Sequence, residues 1–431
     1  MSENEKLVPK RRFKAFENDV AWEQRELGEV VNLENGYAFK SDYFVEEETG
    51  IEVLTPGNVN IGGGFQADKG RNYSVKGPAP EKFVFKPNDV FVTMTDLTPS
   101  AQTLGYPALV PDDGKTYLHN QRLGKLTNFK VSSDFLIYLL CTDTYHNEII
   151  SSASGTTVKH SSPSKILKYS FMMPEYKEQE LIGKFFRNLD QTIAFQQRKL
   201  EKVKSMKSAY LSEMFPAEGE RKPKRRFPGF TDDWEQRELS KLAMMNARIG
   251  WQNLRTSEFL DEGDYMLITG TDFEDGRINF STCHFVEKER YEQDKNIQIS
   301  NGSILITKDG TLGKVAYVEN LAMPATLNAG VFNVRIKNSS EVDEKYLFQY
   351  LKAPFLMNYV NKRATGGTIK HLNQNILVDF PVLMPKKEEQ KKIGTFFHDL
   401  DQTIAFQQQK LEKLQNIKKA YLNEMFIRKG A

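Results

Sequence analysis

Apolar residues fall in steps of four and three at two places in the chain. The first set is Ile182, Phe186, Leu189, Ile193, Leu200, Val203, Tyr210 and Met214, with Gln196 and Lys207 bridging the gaps. The second is Ile393, Phe397, Leu400, Ile404, Leu411, Leu414, Tyr421 and Met425. Positions between them, such as Lys199, Glu201 and Lys202, are polar. This spacing is a heptad seam and predicts two amphipathic helices. Pro174 and Pro385 mark their starts and Pro216 ends the first. From Leu181 to Met214 such a helix measures roughly 50 Å at about 1.5 Å per residue. A stripe that long needs a partner. The nearest candidate is its own copy; the alternative is two separate helices, each packed on its own domain.

The two helical arms are near-copies. Residues 173–215 and 384–426 align without a gap, and about two positions in three are identical, Asp190 answering Asp401. A second block, Trp22-Glu23-Gln24-Arg25-Glu26-Leu27, returns as Trp234-Glu235-Gln236-Arg237-Glu238-Leu239. Between the arms the texture changes. Short apolar runs such as 89–93 and 303–307, separated by Gly, Asn and Asp turns, predict strands. A helix is expected near 135–150 and another near 346–362. The chain therefore divides into a β-rich domain (22–172), a helix (173–216), a linker (217–233), a second β-rich domain (234–383) and a second helix (384–426). The class is α+β with an internal repeat. The two domains agree only in patches, which suggests one fold with divergent sequence. The basic runs Lys10-Arg11-Arg12-Phe13 and Lys222-Pro223-Lys224-Arg225-Arg226 are expected to be solvated linker charges.

Composition narrows the function. The chain has 431 residues and a net charge of +2, which argues neither for nor against nucleic acid, because binding depends on where Lys and Arg sit. No apolar run reaches about 18 residues, so no membrane partner is expected. Residues 1–12 lack the apolar core of a secretory signal, and Cys141 and Cys283 occupy non-matching positions; both point to a cytoplasmic protein with free thiols. No catalytic constellation is apparent. Gly310-Thr311-Leu312-Gly313-Lys314 has too few residues between its glycines for a phosphate loop, and Val315 follows the lysine; it predicts a tight turn. Gly62-Gly63-Gly64 predicts another. The Asn-Pro-Pro-aromatic motif of amino-methyltransferases is absent, and the histidines lack metal-ligand spacing. No cofactor or metal site is expected in this chain.

The clearest match between the two domains is a loop. Residues 153–160, ending Gly155-Thr156-Thr157-Val158-Lys159-His160, answer 364–371, ending Gly366-Gly367-Thr368-Ile369-Lys370-His371. Small hydroxyl residues and donors could approach a phosphate or base edge; equally, the histidine could cap a neighbouring helix. Together with Trp-Glu-Gln-Arg-Glu-Leu, the Glu-Gln-x-x-Ile-Gly-x-Phe-Phe opening of each arm and Leu-Asp-Gln-x-Ile after it, this layout resembles the specificity subunit of type I restriction-modification enzymes, from Trp22 to Phe426.

That resemblance implies two target recognition domains, each reading one half of a bipartite, asymmetric sequence in double-stranded DNA. It implies an antiparallel pair of conserved helices that sets the spacer. Two methyltransferase subunits and two motor-nuclease restriction subunits would assemble on the arms. S-adenosylmethionine, ATP and Mg would then belong to those partners, and this chain would be non-catalytic. The competing readings are a duplicated scaffolding module that binds a dimeric partner without DNA, and an unrecognised hydrolase. In a major-groove reader the donors should sit on exposed loops. The candidates are Asn120, Gln121, Arg122, Thr156, Lys159 and His160 in the first domain. In the second they are Lys308, Thr311, Lys314, Asn328, Thr368, Lys370 and His371.

Overall fold

The computed structural model describes residues 8–250, 254–310, 312–363, 372 and 374–427. They form two compact units, 1–197 with 409–431, and 198–408. The expected long helices are Tyr176–Met214 and Lys387–Met425, each of 39 residues. Each helix therefore contributes its first half to one unit and its second half to the other.

In the first unit the central sheet is antiparallel. Its strand order is Asn32–Asn35, Leu123–Thr127, Val90–Thr93, Pro107–Leu109. Val90, Phe91, Val92 and Thr93 are all buried, as a continuous apolar run requires when both faces are covered. Beside it lies a smaller sheet in which Ile51–Val53 runs parallel to Thr116–Leu118 and antiparallel to Arg71–Asn72. Glu23–Glu26 pairs with Ser170–Met173, so the Glu-Gln-Arg-Glu phrase is the strand that ties the start of the domain to its end.

The second unit repeats this order. Its antiparallel sheet runs Ala243–Asn246, Val331–Ile336, Ile304–Thr307, Val315–Tyr317. Met266–Ile268 is parallel to Ala325–Leu327, and Glu235–Glu238 pairs with Pro381–Met384. Two divergent sequences thus adopt one topology.

The predicted helix in each domain is broken in two. In the first, Thr142 accepts from the Tyr145 amide and caps a new helix, giving Ser133–Leu139 and Asp143–Ser152. In the second, Pro354 cannot donate to a continuing helix, so Glu344–Lys352 ends and Pro354–Arg363 begins.

Within each unit the two arm segments are antiparallel. In the first, Phe185 meets Tyr421 with ring centroids 5.3 Å apart, and Lys418 Nζ lies 2.6 Å from Asp190. In the second, Tyr210 meets Phe396 at 5.1 Å, and Lys207 Nζ lies 2.6 Å from Asp401. Along the seam Ile182, Phe186, Leu200, Ile393, Phe397 and Leu411 are buried, while Leu189, Ile193, Val203, Leu400, Ile404 and Leu414 are half-buried.

The end of each arm completes a core that belongs to the other repeat. Met425 and Phe426 pack among Trp22, Phe135 and Phe186, with Phe426 5.4 Å from Phe135. Met214 and Phe215 pack among Trp234, Tyr346 and Phe397, with Phe215 5.7 Å from Phe397. Each arm also packs on its own domain. The Gln179 amide oxygen accepts from the Ser132 amide, and Gln390 does the same for Asp343. Gly183 and Gly394 lie against the helix starts at Asp134 and Tyr346, so close that a Cβ would sit 2.5 Å from Asp134 Cβ and 2.7 Å from Tyr346 N.

In each basic run the expectation of solvated charges holds for Lys10, Lys222 and Lys224, which are exposed, but not for Arg12 and Arg226. Arg12 donates twice to Glu178, at 2.8 and 2.7 Å, and Trp22 Nε1 donates to the same carboxylate at 3.2 Å. Arg226 does the same to Glu389, at 2.6 and 2.8 Å. Both glutamates are 1% exposed. The neighbouring Arg11 and Arg225 pair with Glu424 and Glu213 and lie over Tyr421 and Tyr210. Proximity to a buried carboxylate, invisible in the local sequence, makes Arg12 and Arg226 part of the core's polar rim.

Four outcomes follow for stability. Gly183→Ala or Gly394→Ala should each cost about 1–3 kcal/mol in urea unfolding, as overpacking does. Asp401 carries two lysines, Lys207 and Lys352 (3.4 Å), plus the Gln349 amide (2.7 Å), and burial of this cluster leaves it 14% exposed. Asp401→Asn should therefore cost about 3–5 kcal/mol. Asp190, at 38% exposure, should cost at most about 1 kcal/mol as Asn. Burial pushes the Lys352 ammonium down to about 8, against the favourable pull of Asp401. Its unfolded form binds a proton below about 10.5. Between these values only the unfolded chain is protonated, so the lysine's cost shrinks as pH rises from about 8 to about 10.5 and is constant below. The stability difference between wild type and Lys352→Met should follow that window in pH-dependent urea titrations.

Candidate nucleic-acid interface

In the first unit three chain segments meet at one end of the central sheet. The Met94 amide donates to the Arg122 carbonyl, and the Ser161 amide donates to the Met94 carbonyl, both at 2.9 Å. Thr95–Asp96 pairs antiparallel with Lys159–His160, and the Thr95 hydroxyl lies 3.1 Å from His160 Nδ1. Sequence candidates separated by almost forty residues are thus neighbours: Gln121 and Arg122 on one side, Lys159 and His160 on the other. Gln121, Arg122 and His160 are exposed and Lys159 is half-buried. Arg122 has no acidic partner within ion-pair distance among the described residues.

The His160 ring engages a strand residue, Thr95, and not a helix end. The loop is closed by a bridge between Ser154 and His160, and Gly155 adopts φ +98° at its bend. Thr156 is exposed on that loop. Asn120 has a different part. Its Oδ1 accepts from the Arg122 amide at 2.9 Å, so its side chain builds the turn that presents Arg122.

The rear of this edge is a rigid loop, residues 94–104, that the sequence reading missed. Asp96 Oδ1 accepts from the amide and hydroxyl of Thr98, and Oδ2 from the amide and hydroxyl of Thr103, all at 2.6–2.7 Å. Burial alone would raise the Asp96 carboxyl, but these four donors hold it below its ordinary value. Ala101 sits in left-handed backbone at φ +52° and, with Leu104, is wholly buried in the domain core. The available signal was Asp-x-Thr, an aspartate two residues before a hydroxyl, which favours such local bonding.

The second unit has the same backbone linkage. The Lys308 amide donates to the Gly330 carbonyl and the Leu372 amide donates to the Lys308 carbonyl, both at 2.8 Å. Lys308 therefore stands where Met94 does, and Gly330 where Arg122 does. The Lys308 ammonium lies 5.6 Å over the Phe332 ring. The glycine segment is a tight turn, as expected: Gly313 N donates to the Thr307 carbonyl and Lys314 N to the Thr307 hydroxyl, both at 2.9 Å. Lys314 is exposed on this turn. Asn328 occupies the equivalent turn, its carbonyl accepting from the Val331 amide as that of Asn120 does from the Leu123 amide, but its Oδ1 accepts from the next amide, Ala329. Thr311, Thr368, Lys370 and His371 lie outside the described residues.

The first edge thus presents Arg122, Lys159 and His160; the second presents Lys308 and Lys314. No group of three or more His, Cys, Asp or Glu side chains could hold a metal among the described residues. No helix among them is long and apolar enough to cross a membrane.

Comparison with known proteins agrees with this architecture. The family described as "Type I restriction modification DNA specificity domain" matches residues 19–205 and 231–416. The chain is 21% identical to the type I restriction enzyme EcoBI specificity subunit of Escherichia coli over 86% of its length and 78% of the relative's. It is 21% identical to the MjaVIII specificity subunit of Methanocaldococcus jannaschii over 63% of its length and 65% of the relative's. Among solved structures, the type I restriction-modification S subunit from M. genitalium superposes with a TM-score of 0.64 at 17% identity, covering 97% of this chain and 99% of that one. With the family matched twice over most of the chain, and one topology built twice on repeated arms, this protein belongs to the specificity subunits of type I restriction-modification systems.

Proposed function

We propose that each β-rich domain reads one half of a bipartite, non-palindromic sequence in double-stranded DNA, and that the arms set the spacer between the halves. The observation that carries this reading is the contrast at the candidate edges. The same main-chain bonds, Met94 to Arg122 and Lys308 to Gly330, frame different side chains. One scaffold displaying two chemistries fits two different half-sites. The arms differ little, so whatever docks on them meets the same surface twice and takes approximate two-fold symmetry. An arm of 39 residues measures roughly 58 Å at about 1.5 Å per residue, a stiff ruler on the scale of more than one DNA turn.

In this reading two methyltransferase subunits dock on the arms and restriction subunits join them. S-adenosylmethionine, ATP and Mg belong to those subunits, with the methylation and cleavage chemistry. The chain's own residues position DNA. Arg122 forks toward a base edge from its Asn120-built turn, and Lys159 with Lys308 and Lys314 contacts phosphates.

The test is modular exchange in cells carrying the partner subunits. Replacing residues 22–172 with the same domain of a relative should change one half of the methylated motif, read by single-molecule sequencing for methylated adenine, and leave the other half intact. A change in both halves would refute independent readers. In binding assays with the assembled complex, Arg122→Ala should cost about 1–3 kcal/mol and relax one base position. Lys159→Ala should weaken target and random duplex alike and lower the salt slope by about one.

A further inference from the structure

The loop of residues 94–104 distinguishes the two readers. In both, the strand before it and the strand after it are joined by equivalent bonds. Gly105 N donates to the Thr93 carbonyl in the first, and Gly313 N to the Thr307 carbonyl in the second, with the glycines at φ +81° and +72°. Between these anchors the second domain has only residues 308 to 312, less than half as many. The first reader therefore carries an insertion at its candidate edge.

That insertion displays an apolar side chain where solvation argues against one. Leu97 is 59% exposed. It does not lie on a floppy excursion. Asp96 before it takes four hydrogen bonds from Thr98 and Thr103, and Ala101 and Leu104 behind it are wholly buried. Asp96 is paired with Lys159 across a two-residue ladder, so Leu97 stands next to the Lys159–His160 strand. Arg122 sits on the other side of Met94. A leucine on a pinned loop is thus flanked by three side chains suited to DNA, while the adjacent Asp96 carboxylate is buried and bonded by hydroxyls and amides.

On a duplex surface the major groove offers one apolar group that a leucine can cover, the 5-methyl of thymine. We infer that Leu97 reads a thymine methyl in the first half-site, as a specificity-determining residue with Arg122, Lys159 and His160 holding the groove around it. This rests on the proposed function, because it requires the first domain to face DNA.

The experiment uses the complex assembled with its methyltransferase partner and duplexes carrying its methylated motif. Each thymine of the first half-site, on either strand, is replaced in turn by uracil, which differs only in lacking the methyl. For the wild type, affinity should fall roughly three- to fivefold at one position, the worth of covering one methyl group. Leu97→Ala should bind the thymine duplex that much more weakly and show no further loss with uracil. Its response to substitutions in the second half-site should match wild type. Equal wild-type affinity for thymine and uracil at every position would overturn the inference. So would a Leu97→Ala complex that keeps the uracil penalty, or one that loses assembly with the partner, which would make Leu97 a protein contact. A wild-type complex with no preference for its motif over random duplex would instead defeat the DNA-reading proposal itself.

Discussion

The burial of Met425–Phe426 and Met214–Phe215 is the constraint on which the rest of the molecule depends. Each Met-Phe pair ends one arm and fills the core around the start of the other, Phe426 against Phe135 and Phe186, Phe215 against Trp234 and Phe397. Losing a buried phenylalanine typically costs about 3–5 kcal/mol. Neither core is complete without chain from the other repeat. The antiparallel course of the arms within each unit follows directly, because each arm must deliver its last residues to the place where the other begins.

Polar contacts make this docking specific. Glu178 and Glu389 are almost wholly buried carboxylates, and each takes a two-pronged guanidinium from the segment that precedes its domain. A buried charge is tolerable only when so paired. Gln179 and Gln390 then bond the amides at the starts of the neighbouring helices, and Gly183 and Gly394 let those starts approach. The phrase Glu-Gln-x-x-Ile-Gly therefore codes one joint: clamp, cap, core residue and close approach. A joint made twice in this way fixes each β-rich domain on the start of its arm. The repeat is not perfect. Asp190 bonds Lys418 and the Tyr138 hydroxyl, whereas Asp401 bonds Lys207, Lys352 and Gln349.

At the opposite end of each sheet the constraint is relaxed. The main-chain links from Met94 and Lys308 are kept although Met94 is buried in the core and Lys308 lies over Phe332, while the exposed side chains beside them, such as Arg122 and Lys314, are not fixed by core packing. This separation lets the arms stay nearly constant while the edges diverge, Arg122 against Gly330 and an eleven-residue excursion against a tight glycine turn.

The sequence alone determined the arms and their seam, and the division into two β-rich domains of one fold, because heptad periodicity and internal repetition are local, additive signals. It also placed Gln121, Arg122, Lys159 and His160 among the candidates, since donor-rich turns are legible as turns. Only the tertiary structure decided that 120–122 and 159–160 share an edge, because a crossover of sheet strands has no local signature. It also turned Arg12 and Arg226 from linker charges into clamps and Asn120 and Asn328 into turn builders, since a partner's identity depends on distant residues. Whereas the helix breaks at Thr142 and Pro354 are local, one from an N-cap and one from a proline, the rigid loop behind Asp96 was likewise set by burial and hydrogen bonding. Such contacts depend on what the fold brings near, and a single chain read in order does not record it.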